Sequence, residues 1–398
     1  MQIAIVGCGN IAPFYMNTLH RFPVLELIGV TDKNEERLTK LSAYYAIPKY
    51  SSFEELLNDK RVELVINLTN PRSHYSVSKA SLEAGKHVYS EKPLAMSFTE
   101  AKELVNLAEQ KGLLISSAPS RILAETAQTM WKALREKVIG NVYLAYGEMD
   151  GGLIHRTRYK DWKNELGVPW PYKDEFETGC TIEHTGYLLT WLMAFWGPVK
   201  TVTAFSSCQI PDKQTDIPLE VNPPDFSVGC IKFASGPVAR ITSSWIASAN
   251  HSLRIYGDDG ILYTDDVWQP RSPVYIKRWI SIKRKTMLAP WKERYKFASP
   301  PDTSTLAKAH RFTGSSLNNY IRTIRSRIHH LKKRVDFCLG PAELATSVEE
   351  GRPCRLSSKY CLHTTEVLFA IHNALDTGSP YKVTTSFDPM EPMPWAKP

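Results

Sequence analysis

The sequence predicts an α/β protein with two units: an N-terminal doubly wound parallel sheet (residues 1–120), then a C-terminal α+β domain with a mostly antiparallel open sheet (residues 121–398). Up to residue 120, short apolar strands alternate with helical segments, a pattern typical of a parallel sheet with helices on both faces. After residue 121, strand-like stretches follow one another across Gly- and Asp-containing turns, which favours antiparallel pairing. A chain of 398 residues also exceeds the usual size of one hydrophobic core.

The first strand and the turn after it are the most informative stretch. Residues 3–6 are apolar and lead into Gly7-x-Gly9-x-x-Ala12, which opens an amphipathic helix. In such a turn the first glycine permits a tight bend, the second lets a pyrophosphate approach the backbone, and the small third residue allows close packing. Phosphates bind well at helix N-termini because free N–H groups and the helix dipole favour negative charge. We therefore expect Gly7, Gly9, Asn10 and Ile11 to contact a dinucleotide; the alternative is a glycine turn without a ligand.

The second strand, residues 24–30, ends close to Asp32, which lies 23 residues after Gly9. A carboxylate at this distance binds the adenosine ribose diol and repels a 2′-phosphate, so it predicts NAD as the cofactor. Lys33 and Arg37 follow it and weaken that exclusion, which leaves NADP possible. Lys33 is included among the expected cofactor contacts.

The remaining elements follow from periodicity and turn signals. In the first unit we predict helices at 34–46, 52–58, 73–84 and 98–110 and strands at 64–68, 87–89 and 113–117. In the second we predict helices at 124–137 and 358–375, strands at 142–149, 201–206, 226–233, 239–247, 252–256 and 261–263, and a Pro-rich tail.

Composition narrows the class of protein. With 43% hydrophobic and 23% charged residues, the chain has the composition of a soluble globular protein. It lacks an apolar run of about eighteen residues and a basic N-terminal region, so neither a membrane helix nor a signal peptide is predicted. Seven scattered cysteines without a C-x-x-C pair favour a reducing compartment and no zinc site. We expect a cytoplasmic protein with no metal.

The net charge of +8 comes from one segment. Residues 271–334 contain 17 Lys and Arg against two acidic residues, so the rest of the chain is mildly acidic. We interpret the segment as an insertion, which is either solvated, bound to a phosphorylated or nucleotide-linked sugar, or laid on an anionic membrane surface. Nucleic acid is not expected, because no known binding motif accompanies the charge.

Five motifs stand out along the chain: Gly7-x-Gly9-x-x-Ala12, Ala84-Gly85-Lys86-His87-Val88 leading into Glu91-Lys92-Pro93, Asp161-Trp162-Lys163, Gly179-Cys180-Thr181-Ile182-Glu183 with Tyr187, and Gly351-Arg352-Pro353. Together they resemble the Gfo/Idh/MocA oxidoreductases, the family of glucose–fructose oxidoreductase and inositol dehydrogenase. The resemblance implies an N-terminal Rossmann domain, NAD(P), and cofactor contacts from Asn70, His74, Glu91, Lys92 and Trp162. It also implies pairing of subunits through the open face of the second sheet.

Lys92 is the first candidate catalytic residue. It follows a predicted strand at the carboxyl edge of a parallel sheet, where open α/β folds bind ligands. Hydride transfer at an alcohol carbon needs a group that exchanges the hydroxyl proton. Partial burial is expected to make the Lys92 ammonium titrate more readily than a free lysine.

The second catalytic group departs from the family pattern. The family has Asp-x-Gly-x-His on one helix, whereas this chain has Glu183, Thr185 and Tyr187 in the same register. A phenol both donates and accepts a proton, and a nearby Lys92 ammonium is expected to lower the pKa of Tyr187. We predict that Lys92 and Tyr187 share proton transfer and that Glu183 orients one of them. His184 either replaces the missing histidine or forms a hydrogen bond in the core.

The stretch before this helix, residues 162–176, combines aromatic and charged side chains. Flat rings stack on sugar C–H faces and charged groups bind hydroxyls, so Trp170 and Tyr172 are candidate substrate contacts together with Lys92, Glu183 and Tyr187. The alternative is a packing loop, because Trp and Tyr also anchor long loops.

These observations predict an NAD(P)-dependent oxidoreductase acting on a hydroxyl or keto carbon of a sugar, sugar nucleotide or cyclitol, in a homo-oligomer. Two alternatives stay open. One is an NAD-dependent glycosidase of the same family, and the other is a non-catalytic regulator that binds dinucleotide without turnover.

Overall fold

The computed structural model describes residues 1–282, 285–300, 335–374 and 380–397. Its first sheet has five parallel strands in the order β2-β1-β3-β4-β5. At the outer edge of β2, Val30 forms an isolated parallel bridge with Lys49. The elements are β1 (Gln2–Val6), α1 (Ala12–Leu19), β2 (Glu26–Thr31), α2 (Glu35–Tyr45), α3 (Phe53–Asn58), β3 (Leu64–Asn67), α4 (His74–Glu83), β4 (His87–Ser90), α5 (Phe98–Gln110) and β5 (Ile115–Ser117).

Buried apolar strands explain this sheet. Each residue of β3 is buried, as expected for a parallel strand covered by helices on both faces. Neighbouring helices begin at side-chain caps: Asn34 accepts from the Arg37 N–H before α2, and Ser97 accepts from the Glu100 N–H before α5. The strand order reverses between β1 and β3, so the carboxyl ends of β1, β3 and β4 meet at one edge.

The second sheet has ten strands, and its central pair, β6 with β9, is parallel while its other pairs are antiparallel. This confirms the predicted fold class. The elements are α6 (Glu125–Arg135), β6 (Val142–Asp150), α7 (Tyr172–Thr178), α8 (Gly186–Trp196), β7 (Val199–Ser207), β8 (Phe226–Phe233), β9 (Val238–Ser244), β10 (Leu253–Gly257), β11 (Gly260–Thr264), β12 (Val274–Ile282), β13 (Lys285–Leu288), β14 (Glu293–Arg294), α9 (Leu339–Glu349), α10 (Ser358–His372) and β15 (Tyr381–Lys382).

Part of the segment predicted as an insertion from residue 271 belongs to the second sheet. β12 pairs with β11 over five residues, and β13 and β14 both pair with β12, so residues 274–282, 285–288 and 293–294 extend the sheet. Alternating apolar residues in β12 carry this pairing, and the high density of Lys and Arg obscured them. Residues 283–284 and 301–334 lie outside the described residues, so the membrane and phosphate-binding predictions for this segment stay predictions.

The chain returns to the first sheet near its C-terminus. α9 packs on β4 and β5, and Gly340 allows the close approach, since a Cβ there would lie 2.3 Å from the Tyr89 hydroxyl. α10 contacts α5, β5 and β7, so it joins the two sheets. The boundary at residue 120 therefore stays a prediction about folding units. Among the described residues, no helix combines the length and apolar character needed to cross a bilayer.

Candidate active site

The glycine turn has the form expected of a phosphate-binding loop. Gly7 has a φ of +103°, and a Cβ there would lie 2.6 Å from the Leu68 carbonyl oxygen, so both conformation and space require glycine. Gly9 differs, because no described atom outside its neighbours lies within 4 Å of the position a Cβ would take. This open space beside the N-terminus of α1 fits the approach of a pyrophosphate.

Asp32 sits directly after β2 and fixes the turn. Its Oδ2 accepts a hydrogen bond from the Cys8 N–H at 2.6 Å, and its Oδ1 accepts one from the Asn34 N–H at 2.7 Å. The remaining lone pairs of the carboxylate are available to a ribose diol. Lys33 follows and is exposed.

The other predicted cofactor residues form the frame around this edge. Asn70 caps the turn before α4 by accepting from the Ser73 N–H at 3.1 Å. His74 is buried, and its ring nitrogens face the carbonyls of Pro93 at 2.7 Å and Thr69 at 3.1 Å, so it ties two loops together. Glu91 accepts a hydrogen bond from the Tyr15 hydroxyl of α1 at 2.6 Å. These contacts hold the Lys92 backbone beside the glycine turn.

The structure brings Lys92, Glu183 and Tyr187 together. Lys92 Nζ donates to Glu183 Oε2, and the side chains are 19% and 1% exposed, respectively. Glu183 Oε1 is buried and has no hydrogen-bond partner within the described part of the chain, which leaves an acceptor. Glu183 lies in a π-helical turn, Thr181–Thr185, that continues into α8 and carries Tyr187. Such π turns often occur at functional sites.

The expected direction of the Lys92 pKa was wrong. Burial alone lowers this pKa, but the negative charge of Glu175 and other acidic groups outweighs burial and raises the pKa above its ordinary value. Lys92 is therefore an ammonium at neutral pH. Burial raises the pKa of the Glu175 carboxyl, and the Lys92 charge lowers it. Burial has the larger effect, so the pKa of Glu175 is raised. Glu175 was missed from the sequence because α7 was interpreted as part of a loop.

The expected net effect on Tyr187 was also wrong. Burial raises the pKa of Tyr187 more than the charges of Lys92 and Arg121 lower it. The direction of the Lys92 effect was correct, but burial was not visible in the sequence. Tyr187 is therefore a neutral phenol at neutral pH, able to donate a hydrogen bond to a substrate oxygen.

An aromatic wall, formed by His184, Tyr187, Trp245 and Trp268, closes one side of the site. His184 receives a hydrogen bond from Trp245 Nε1 at 3.3 Å, and its ring centroid lies 5.1 Å from that of Trp268. Burial, and then the Lys92 charge, lower the pKa of His184 to about 3, so the ring is neutral. This geometry agrees with the interpretation of His184 as a hydrogen-bonded core residue, and its catalytic role stays a prediction.

The loop at residues 162–170, here called the strap, crosses the glycine turn. Asn164 Nδ2 donates to the Asn10 carbonyl at 3.1 Å, and Asn10 Nδ2 donates back to the Val168 carbonyl at 3.0 Å. Glu165 accepts from Asn17 Nδ2 of α1 at 2.8 Å. Sequence analysis missed these polar contacts, because only the fold brings positions so distant in the chain together. Trp162, at the start of the strap, is 42% exposed.

The two aromatic residues predicted to bind substrate differ in their surroundings. Trp170 lies between the rings of Trp162 and Phe176, at 5.1 and 5.9 Å between centroids. Tyr172 donates its hydroxyl hydrogen to Asp216 at 2.5 Å, and its ring packs on Tyr159. Packing thus accounts for both rings in this structure, and their contact with substrate stays a prediction.

Residues 1–118 match the family described as "Oxidoreductase family, NAD-binding Rossmann fold", and residues 127–263 match the "GFO/IDH/MocA C-terminal domain". The chain belongs to the Gfo/Idh/MocA oxidoreductase family. This confirms the resemblance, and with it the enzyme class, an NAD(P)-dependent oxidoreductase, and the NAD(P) cofactor class. The second profile ends before β12, so the basic segment lies outside the part that matches the family.

Relatives of known name support the same class. Trans-1,2-dihydrobenzene-1,2-diol dehydrogenase of Mus musculus is 24% identical over 68% of this chain and 76% of its own length. The scyllo-inositol 2-dehydrogenase (NADP(+)) IolW of Bacillus subtilis is 28% identical over 41% of this chain and 42% of its own length, so that match spans less than half of it. The crystal structure of aldose-aldose oxidoreductase from Caulobacter crescentus with glycerol shares the fold, with a TM-score of 0.71, 17% identity, and coverage of 96% of this chain and 99% of that one.

Proposed function

We propose that this protein transfers a hydride between NAD and a hydroxyl or keto carbon of a sugar, sugar nucleotide or cyclitol. The observation that carries the proposal is the Lys92–Glu183 ion pair beside Tyr187, at the sheet edge that also holds the glycine turn. An ammonium and a phenol that both approach one pocket are the groups that a carbonyl oxygen needs when it becomes an alkoxide.

The cofactor, when bound, supplies the hydride acceptor or donor, and the protein supplies the rest. Gly7, Gly9 and Asp32 offer the space, N–H groups and carboxylate that a dinucleotide needs. Glu183 holds Lys92 Nζ in place. Lys92 then donates a proton to the substrate oxygen during reduction and takes one from the hydroxyl during oxidation. Tyr187 donates a second hydrogen bond to the same oxygen.

The protonation state of Lys92 sets which proton transfer it can perform at neutral pH. Because the pKa of Lys92 is raised, the residue carries a proton at neutral pH and can give it to the oxygen of a ketone during reduction. Oxidation requires the neutral amine, so its rate should increase with pH towards the Lys92 pKa. The family's glycosidases and a dinucleotide-binding regulator remain alternatives, but an ionised Lys92 buried beside Glu183 favours a proton-transfer site.

The test is hydride transfer itself. Purified protein is mixed with NAD and a panel of sugars, sugar nucleotides and cyclitols, and NADH formation is followed at 340 nm. We expect turnover by the wild type and a decrease of about 10²- to 10⁴-fold in Lys92→Met, which keeps the length of the side chain but not the proton. Unchanged turnover in Lys92→Met contradicts the proposal, and glycoside cleavage without net NADH favours the glycosidase.

We also propose that NAD is preferred over NADP and that the protein is a cytoplasmic homo-oligomer. Asp32 supports the first point, since its carboxylate repels a 2′-phosphate. The open face of the second sheet supports self-association, because Tyr146, Phe205 and Val238 are 38%, 50% and 40% exposed on it. Light scattering of the wild type and of Tyr146→Glu tests this: we expect an oligomer that the charge weakens.

A further inference from the structure

Arg121 lies at the same sheet edge as Lys92 and has no role in the mechanism above. Lys92 follows the end of β4, and Arg121 follows the end of the adjacent strand β5, in a 3₁₀ turn at Arg121–Leu123. The Arg121 guanidinium carbon lies 5.5 Å from the centroid of the Tyr187 ring. A second positive group therefore reaches the phenol that is proposed to bind the reacting oxygen.

This guanidinium lacks a carboxylate partner. Its Nη1 donates to the Trp268 carbonyl, and within the described ranges Arg121 forms no ion pair with an Asp or Glu oxygen at 4.0 Å or less. The carboxylate of Asp266 is occupied elsewhere, because it accepts from the Trp268 N–H at 2.8 Å and lies 3.8 Å from His251 Nδ1. Arg121 also hydrogen-bonds the Tyr187 side chain, and the charges of Asp266 and Glu91 act on it from a greater distance. Arginine has five N–H donors, so the Trp268 carbonyl and the Tyr187 hydroxyl leave some of them for another acceptor.

The wall next to Arg121 offers further unused polar groups. Trp268 Nε1 and His251 Nε2 are buried and have no hydrogen-bond partner in the described part of the chain. The ring centroid of Trp268 lies 4.0 Å from that of His251 and 5.8 Å from that of Tyr187, so these groups belong to the wall that faces Tyr187. Buried donors without partners are uncommon in folded proteins unless a ligand or water supplies the acceptor.

We propose that the substrate is an anionic carbohydrate or cyclitol and that Arg121 binds its carboxylate or phosphate, with Trp268 Nε1 as a neighbouring donor. The proposal rests on the proposed function and specifies its substrate class. A guanidinium matches planar carboxylate and phosphate oxygens with two parallel hydrogen bonds, which a neutral hydroxyl does not provide. The anion would lie next to Arg121, beside the Tyr187 ring, and would set which hydroxyl reaches Lys92.

A second role for Arg121 has to be separated from this one. Its charge lowers the pKa of Tyr187, so loss of Arg121 would also alter the phenol. That effect acts on the rate and its pH dependence for every substrate, whereas anion binding acts on the affinity for charged ligands alone.

The experiment uses full-length protein saturated with NADH, so that anions are excluded from the cofactor phosphate sites. Inorganic phosphate, acetate, glucuronate, glucose 6-phosphate and glucose are titrated by calorimetry into the wild type, Arg121→Met and Arg135→Met. Arg135 is the matched control, because it also stacks on an aromatic ring, Trp131 at 5.2 Å, and donates to a backbone carbonyl, that of Ala396. It lies at the end of α6, outside the site.

We expect at least one anion to bind wild type and Arg135→Met about 10- to 100-fold more tightly than Arg121→Met, with weak glucose binding in all three. A preference for glucuronate and acetate identifies a carboxylate, and one for phosphate and glucose 6-phosphate identifies a phosphoryl group. Equal anion affinity in wild type and Arg121→Met, or no anion binding to the wild type, overturns the inference.

The readouts also separate the two proposals. If NADH does not bind, the proposed function fails and this inference fails with it. If NADH binds and neutral sugars are oxidised, but the wild type and Arg121→Met bind anions equally well, only the proposed substrate class is wrong. If Arg121→Met shifts the pH dependence of oxidation and leaves anion affinity unchanged, Arg121 acts on Tyr187 instead.

Discussion

In the glycine turn, mainly backbone groups line the space for a ligand, whereas the Lys92 pocket is formed by side chains of distant segments. In the turn, Gly7, the Cys8 N–H and Asp32 meet within one βαβ unit. In the pocket, Lys92 follows β4, Glu183 belongs to the π turn, and Trp268 follows β11. The two sites nevertheless adjoin, because both lie at the carboxyl edge of the first sheet.

This difference has a functional consequence. Backbone N–H groups recognise phosphate in any dinucleotide, so the turn can stay constant while substrates vary. Side chains drawn from the second unit can change one at a time without loss of the turn. The exchange of the family's Asp-x-Gly-x-His pattern for Glu183, Thr185 and Tyr187 is such a change. Variants should therefore separate cofactor binding from chemistry.

Among variants that keep Lys92, the largest expected effect on chemistry is that of Glu183→Gln. The amide keeps the shape but removes the charge that holds the Lys92 ammonium, so kcat should fall about 100-fold. Because Lys92 then has one negative neighbour fewer, its pKa should also fall. Because oxidation needs the neutral amine, the rising limb of its pH–rate profile should move to lower pH. Initial rates of NADH formation between pH 6 and 11 measure both effects.

The control for this variant is Glu177→Gln. Glu177 is also a buried carboxylate in an ion pair, 3% exposed and 2.8 Å from Arg72 Nη2, but it does not pair with Lys92. We expect its pH–rate profile to match that of the wild type. A Glu183→Gln profile without a shift would show that Glu183 does not control the protonation of Lys92.

The glycine turn gives the second comparison, between Gly7→Ala and Gly9→Ala. Gly7→Ala places a Cβ against the Leu68 carbonyl at a positive φ, which should lower the free energy of unfolding by about 2–4 kcal/mol. Gly9→Ala meets open space, so stability should be unchanged while the Kd for NAD rises about 10-fold or more. Thermal unfolding and calorimetric titration with NAD measure the two quantities. Unchanged NAD affinity in a folded Gly9→Ala protein would contradict a pyrophosphate at this position.

These two sites also show what a sequence can predict. The meeting of Gly7, Gly9 and Asp32 could be predicted because it depends on spacing within one unit, and the parallel sheet followed from the same local signals. Lys92, Glu183 and Tyr187 were predicted to lie together from the family pattern, but their protonation could not be predicted, since it depends on burial and on Glu175. Arg121, Asn164 and Trp268 carry no local signal, because only the tertiary fold brings them to the site.

A smaller effect is expected for Asp32→Asn. The amide oxygen still accepts a backbone N–H, but the charge that repels a 2′-phosphate is lost, so kcat/KM for NADP relative to NAD should rise about 10-fold. Asp258→Asn is the control, because Asp258 accepts the backbone N–H of Asn141 at 3.2 Å in a turn of the second sheet. An unchanged cofactor ratio in Asp32→Asn would mean that another residue selects the cofactor.

The smallest effect is expected where the two regions meet, at the strap. Asn164 Nδ2 contacts the Gly9 and Asn10 carbonyls, and Glu165 contacts α1, so the strap covers the entrance to the turn. Asn164→Ala and Glu165→Ala should each speed the release of NADH about 2- to 5-fold, since each removes two hydrogen bonds between the strap and the first unit. Stopped-flow fluorescence of NADH release measures this.

Asp161→Ala is the control, because Asp161 pairs with Arg158 beside the strap and not with the first sheet. Equal release rates in all three variants and the wild type would show that NADH leaves without opening the strap, and the turn and the pocket would then bind their ligands independently.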